Sequence, residues 1–204
     1  MQIIKADDAD YAAIASLLKQ GHIIIYPTDT AYALGADATN EQGVALIFDT
    51  KQRDRNKTLS MIVADQAMVK AWLVFSARAS ELADQHWPGP LSLTLPVRKE
   101  GLASAAMQEG FASIRVPDEY CAASIARSLG APVISTSANA SGSGPQYSLD
   151  AVIDSLGERA SLVSCALDAG TLPNIGVSTI VKVWNNKIIV LRKGAVNINP
   201  AFED

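Results

Sequence analysis

The chain has 204 residues, 49% of them apolar and 19% charged, and its 17 basic and 21 acidic side chains leave a formal net charge of −4. That length supports one sizeable core or two small ones, and the composition is that of an ordinary globular enzyme. An acidic chain does not hold nucleic acid across its whole surface, although a local basic groove is compatible with it.

The opening stretch MQIIKADDAD places acids directly after a two-residue apolar run, which is not the shape of a signal peptide. Asp7 or Asp8 is read as the cap of a first helix with Tyr11, Ile14, Leu17 and Leu18 on one face and Gly21 as its stop. Residues 22–27, HIIIYP, form a short apolar run predicted as a buried strand. Asn40 caps a second helix with Val44, Ile47 and Phe48 turned inward, ending near Lys51. Residues 59–64, LSMIVA, are predicted as a strand, and Asp65 starts a short helix. Ser76 caps another helix, which Pro88 stops. Residues 91–97 and 112–117 are strand candidates. Residues 118–130 form a helix ending at Gly130. Residues 132–137, PVISTS, are a strand running into the turn ANASGSGP. Ser148 caps a helix that Gly157 ends, and residues 162–167 are a further strand. Near the end, VSTIVKV and IIVLRK flank Trp184-Asn185-Asn186-Lys187, a hairpin signal. Helices and strands interleave, and a hairpin must be antiparallel, so the expected fold is one α/β domain with a mixed sheet flanked by helices. No stretch approaches the roughly 18 uninterrupted apolar residues of a membrane span. Cys121 and Cys165 lie far apart with no CxxC, so a cytoplasmic protein with free thiols is expected. Two histidines without a Cys/His cluster do not make a structural zinc site.

Four stretches carry chemistry. Residues 50–57, TKQRDRNK, place four cations in seven positions of an acidic chain. Run extended, Lys51, Arg53, Arg55 and Lys57 would point to one side and form a cationic row about 20 Å long at ~3.3 Å per residue, suited to a triphosphate or an RNA backbone. If the helix continues instead, the charges spread over adjacent faces; a solvated turn is the bland alternative. Residues 26–30, YPTDT, follow a strand, where α/β proteins place ligand groups, and offer the Thr28 and Thr30 hydroxyls and the Asp29 carboxylate. Residues 135–144, STSANASGSG, also follow a strand; small hydroxyl residues and glycines let backbone N–H groups approach phosphate oxygens, though the pattern is neither a Walker A loop nor GxGxxG. Arg115, in the strand-like SIRVP, needs a carboxylate or phosphate partner, either internal or from a ligand. Arg192 in LRKG has the same two readings. Trp87 in WPGP reads as packing, Cys121 as core, and neither His22 nor His86 is assigned to catalysis. No Ser-His-Asp or Cys-His set follows from the spacing.

Taken in order, YPTDTAYALG, KQR, WPGPLSLTLP, SIRVP, STSAN, GVSTIV and LRKG resemble the YrdC-like family, in its single-domain bacterial form, over roughly residues 10–194. The family motif K-x-R…S-x-N is matched by Lys51, Arg53, Ser137 and Asn139. The resemblance implies a single YrdC-like domain over residues 1–204, without the extra C-terminal domain of longer relatives, holding a twisted mixed sheet and a cationic concave site. It implies an enzyme that joins L-threonine, bicarbonate and ATP into threonylcarbamoyl-adenylate and pyrophosphate, for a downstream complex that makes t6A on ANN-decoding tRNAs. By the same resemblance Lys51 and Arg53 are the catalytic cations; Lys51, Arg53, Lys57, Ser135, Ser137, Asn139, Ser178 and Arg192 hold ATP; Thr30 and Arg115 hold threonine; and Mg²⁺ arrives with ATP rather than on a protein cage. The chemistry agrees, because adenylate formation needs aligned substrates and neutralised phosphate charge, not a protein nucleophile. The alternatives are a YciO-like paralogue, or an RNA-binding or ribosome-maturation module using the same basic groove.

Overall fold

A cap residue accepts amides two and three positions ahead, and that spacing decides where the first helix begins. In a computed structural model, which describes residues 1–198, Asp10 takes the amides of Ala12 and Ala13 at 3.0 and 3.1 Å and opens α1 (Tyr11–Lys19). Asp7 and Asp8, expected as caps, lie instead in a 3-10 turn just before it. The other expected starts hold. Asn40 caps α2 (Glu41–Lys51), Asp65 caps α3 (Gln66–Trp72), Ser76 caps α4 (Ala77–His86) and Ser148 caps α6 (Leu149–Leu156). Between α4 and α6, α5 (Tyr120–Leu129) ends on Gly130 at φ 72°, the left-handed stop the sequence announces.

The strands, in chain order, are β1 (Gln2–Lys5), β2 (Ile24–Tyr26), β3 (Ala33–Gly35), β4 (Ser60–Ile62), β5 (Leu91–Pro96), β6 (Phe111–Arg115), β7 (Val133–Ile134), β8 (Thr136–Ser137), β9 (Cys165–Asp168), β10 (Thr179–Trp184) and β11 (Lys187–Arg192). They form two sheets rather than the single one expected: β1-β9-β2-β3-β8, and β11-β10-β5-β6-β4-β7. Both are mixed. In the first, β1, β9 and β2 run parallel while β3 and β8 are antiparallel to their neighbours. In the second, β10 pairs β5 and β4 pairs β6 in parallel, and the remaining pairs are antiparallel. The hairpin is present, with Asn185 and Asn186 at φ 50° and 60°, as a tight two-residue connection requires.

PVISTS is not one strand but supplies an edge to each sheet. Ile134 pairs with Met61 of β4, whereas Thr136 pairs with Leu34 of β3. Ser135 is the crossing point, and its amide donates to the Ser60 carbonyl at 2.8 Å. The chain therefore passes from one sheet to the other at the Ser-rich stretch. β1 and β3 were not read from the sequence: each is short, and each gains its place from partners distant in the chain, β9 and β8.

Apolar burial follows the two sheets. One face of the five-stranded sheet is covered by α1 and α5, which bury Ile14, Leu18, Cys121 and Ile125 against Ile24 and Tyr26. The larger core joins both sheets to α2, α4 and α6, with Ile47, Phe48, Leu82, Leu93, Ile114, Val152 and Val181 among its members. Each large side chain of this kind contributes about 1.5–3 kcal/mol when fully buried. What this packing leaves open is a cleft between the sheets, at the crossing.

Candidate active site

The cationic stretch neither runs extended nor continues the helix; beyond Lys51 it is a largely exposed turn. α2 ends at Lys51, and Gln52 turns left-handed at φ 50°. That reversal abolishes the period-two row, so the four cations part company. Lys51 is only 2% exposed, and its ammonium donates to the Ser137 carbonyl, to the Asn139 carbonyl at 2.9 Å and to Asn139 Oδ1 at 3.2 Å. An ammonium has three N–H donors, and all are used. Arg55 is exposed and paired with Asp49 at 2.5 Å. Arg53 turns into the cleft, with Nη2 donating to the Thr58 carbonyl at 3.0 Å and a buried Nε that has no partner. Lys57 is exposed on the cleft's edge.

The cleft has a volume of about 700 Å³, within the range of small-ligand sites. Thr30, Arg53, Lys57, Arg115, Ser135, Ser137, Ser178 and Arg192 border it. Lys51 and Asn139 do not; they sit behind the wall. The Asn139 side-chain amide donates to the carbonyls of Ala140, at 2.7 Å, and Ser143, holding its own loop closed. Lys51 and Asn139, expected to hold ATP, are buried and internally paired, bracing the chain behind Ser137.

On the opposite wall, YPTDT is a tight turn. Thr28 Oγ1 donates to the Ala31 carbonyl at 2.7 Å and accepts the amides of Thr30 and Ala31, both at 3.2 Å. The turn carries Asp29 into a buried ion pair with Arg115, the two side chains being 7% and 6% exposed. Arg115 also reaches Thr30 Oγ1 at 3.3 Å and the Gly89 carbonyl at 3.4 Å. Both sequence readings of Arg115 thus meet in one place: it has an internal carboxylate partner and it borders the cleft.

The third guanidinium, Arg192, holds the start of β10. Its Nε and Nη2 donate to the Ser178 carbonyl at 3.0 and 2.8 Å, and Nη2 also reaches Ser178 Oγ at 2.8 Å. Ser178 Oγ is in turn 3.3 Å from Ser92 Oγ. Burial and then the charges of Arg115 and Arg53 lower the Arg192 pKa, and burial lowers that of Arg53. Three guanidinium groups thus converge with incomplete neutralisation, a field that favours a bound anion.

The residues read as structural behave that way. Cys121 is buried, and burial pushes its thiol up to about 12, so it is no nucleophile. Trp87 Nε1 donates to the Leu91 carbonyl at 2.5 Å, and its ring stacks on Phe75. His22 shares a hydrogen bond with the Ser164 hydroxyl. Among the described residues no group of three His, Cys, Asp or Glu side chains could hold a metal ion, and no helix is long and apolar enough to cross a membrane.

Sequence reasoning missed Ser60, Ser92, Thr94, Ser113 and Lys182, which also border the cleft. The signal was present: LSLT and SIR alternate polar and apolar with the strand period of two. The sequence pattern does not say what that polar face meets; the tertiary packing turns it toward the cleft. The whole arrangement can grip a polyanion and a small polar molecule side by side, and it offers no activated nucleophile.

A family model named Sua5_yciO_yrdC and described as telomere recombination matches residues 16–194. The chain is 30% identical over 199 residues to the threonylcarbamoyl-AMP synthase of Bacillus subtilis, covering 95% of this chain and 56% of that protein. It is 32% identical over 181 residues to the threonylcarbamoyl-AMP synthase of Idiomarina loihiensis, covering 87% and 95%. Among solved structures it is similar to P. abyssi Sua5 complexed with L-threonine, with a TM-score of 0.83 and 25% identity over 95% of this chain and 56% of that one. The chain thus spans little more than half of the B. subtilis and P. abyssi proteins. E. coli YciO shares the fold, with a TM-score of 0.84 at 22% identity.

Proposed function

The chain belongs to the Sua5/YciO/YrdC family, and from that premise we propose that it is a threonylcarbamoyl-AMP synthase, formed by one YrdC-like domain over residues 1–204. The reaction is L-threonine + bicarbonate + ATP → threonylcarbamoyl-AMP + pyrophosphate + water. The threonine amine takes up the bicarbonate carbon with loss of water. The resulting carbamate oxygen then attacks the α-phosphorus, and pyrophosphate leaves.

The observation that carries this reading is the convergence of Arg53, Arg115 and Arg192 on one cleft with Thr30, Ser135, Ser137 and Ser178. Arg53, Lys57 and Arg192 would neutralise the phosphates, and Ser135, Ser137 and Ser178 would orient them. Thr30 and the free edge of Arg115 would take the amino acid. Lys51 and Asn139 would act from behind by fixing the loop that presents Ser137. Mg²⁺ would be held mainly by phosphate oxygens and water. Mg²⁺ would supply further charge neutralisation at the phosphates. The product's mixed anhydride must be consumed by a group transferase, here the complex that forms t6A on tRNA, and a cytoplasmic setting goes with that task.

The test is pyrophosphate release from ATP and Mg²⁺, with threonine and bicarbonate omitted in turn. Release is expected only with both present. Release indifferent to threonine or bicarbonate, or salt-sensitive RNA binding without any ATP binding, would overturn the proposal.

A further inference from the structure

A line of hydroxyls crosses the floor of the cleft and ends on an ammonium. The strand registers place Ser60 beside Ser113, Ser113 beside Thr94, and Thr94 beside Lys182. One transverse row on β4, β6, β5 and β10 therefore reads Ser, Ser, Thr, Lys, and all four side chains border the cleft. Thr94 Oγ1 and Ser113 Oγ are buried and have no hydrogen-bond partner. Lys182 Nζ lies 3.7 Å from the centroid of the Phe111 ring, so the ring holds the ammonium at the row's end without neutralising it. Among the described residues Lys182 enters no ion pair.

Buried hydroxyls without partners are uncommon in folded proteins. Two of them on facing positions of neighbouring strands, beside an unpaired ammonium, are accounted for by an oxygen-rich ligand that completes them. Along β6, Ser113 is two residues from Arg115, roughly 7 Å at the strand rise, which sets the row next to the amino-acid end. Along β10, Lys182 is two residues from Ile180, the register partner of Arg192, so the row also neighbours the Arg192 side of the cleft. One positive charge and two hydroxyl donors match a small singly charged oxyanion better than a polyphosphate, which calls for several cations.

We propose that Ser113, Thr94 and Lys182 form a second anion subsite, which takes bicarbonate and holds it beside the threonine amine. The assignment of bicarbonate rests on the synthase reading above. The subsite itself rests on the registers and the unpaired hydroxyls.

The test uses isotopically labelled bicarbonate and the full chain, with binding read from NMR line broadening and pyrophosphate read in parallel through phosphorus. Wild-type protein should broaden the bicarbonate line. Thr94→Val and Ser113→Ala should reduce that broadening several-fold, and Lys182→Met should abolish it, with pyrophosphate binding unchanged in all three. The hydroxyls have no protein partner, so Thr94→Val and Ser113→Ala should leave the unfolding midpoint unchanged or raised, separating a lost site from a lost fold. In turnover, the bicarbonate KM should rise several-fold while the ATP and threonine KM values stay put. Equal broadening by wild type and variants, or none by wild type, overturns the proposal. Loss confined to pyrophosphate overturns it too, giving the row to the leaving group. Bicarbonate bound at the row by a protein that releases no pyrophosphate would sink the synthase reading and leave the subsite standing.

Discussion

The ammonium of Lys51 donates to both the carbonyl oxygen and the side-chain Oδ1 of Asn139, at 2.9 and 3.2 Å, and ties the end of α2 to the loop after β8. A lysine from the most charged stretch of the chain is therefore a buried strut. Its third donor goes to the Ser137 carbonyl, so the same contact sets where Ser137 faces the cleft.

Lys51→Met should separate this bracing from direct ligand contact. It leaves the Asn139 carbonyl and Oδ1 without a donor, while the Ser137 carbonyl keeps the Asn139 amide at 3.0 Å, and an unsatisfied buried polar group costs about 1–3 kcal/mol. For a chain of this length each kcal/mol lowers Tm by roughly 2–4 °C. Arg53→Ala should cost less stability and more ATP affinity. Thermal melts paired with ATP titrations check this; the opposite ranking would return Lys51 to the phosphates.

The pH dependence of stability carries a further mark of Lys51. Burial, and then the Arg53 charge, lower its pKa from the usual 10.5 to about 8. Between those values the unfolded chain binds more protons than the folded one, so the Lys51 contribution rises with pH across pH 8 to 10.5 and is lost as pH falls through 8. Buried Cys121 works the other way, its pKa being raised from 9.0 to about 12, so its contribution is lost as pH rises over that span. The wild-type-minus-Lys51→Met difference in unfolding free energy isolates the lysine and should grow from pH 8 to 10.5. A flat difference would contradict the shift.

Arg115 and Asp29 should behave as a unit. Removing one partner of a buried ion pair costs about 3–5 kcal/mol, and Asp29→Asn, which keeps the shape, should fall at or below the low end. Arg115→Lys keeps a charge but lacks the fork that spans Asp29 and Thr30. It should raise the threonine KM far more than the ATP KM. Steady-state kinetics with each substrate varied decides the point, and equal effects on both constants would remove Arg115 from the amino-acid end.

The three converging guanidiniums predict stabilisation by anions. Raising NaCl from 0.1 to 1 M shortens the screening length from about 10 to about 3 Å and should raise the Tm of the unliganded protein. Pyrophosphate at 100 times its Kd should add about 2.7 kcal/mol. Arg192→Ala should remove much of the pyrophosphate effect. A Tm indifferent to pyrophosphate would mean the cleft does not hold phosphates.

Helix starts were legible because a cap acts over three residues: Asn40, Asp65, Ser76 and Ser148 all stand where their sequences place them. Asp10 was missed because two earlier acids, Asp7 and Asp8, compete with it, and only the 3-10 turn that holds them settles the choice. Eight of the ten expected site residues reach the cleft. Lys51 falls outside it because a single left-handed residue, Gln52, redirects the chain before Arg53, and Asn139 because its side-chain amide is spent on the carbonyls of its own loop.

By itself the sequence determined what acts locally: the caps, the final hairpin, the period-two faces of the strands, and the ordered motif blocks that mark the family. The tertiary structure decided what depends on partners far along the chain. It split PVISTS between two sheets at Ser135, because Ile134 found Met61 and Thr136 found Leu34. It also turned the polar face of β5 and β6 inward to a cleft rather than outward to water. Local propensity cannot encode either choice, since a strand's pairing and the side that is wet are set by whichever distant surface packs against it.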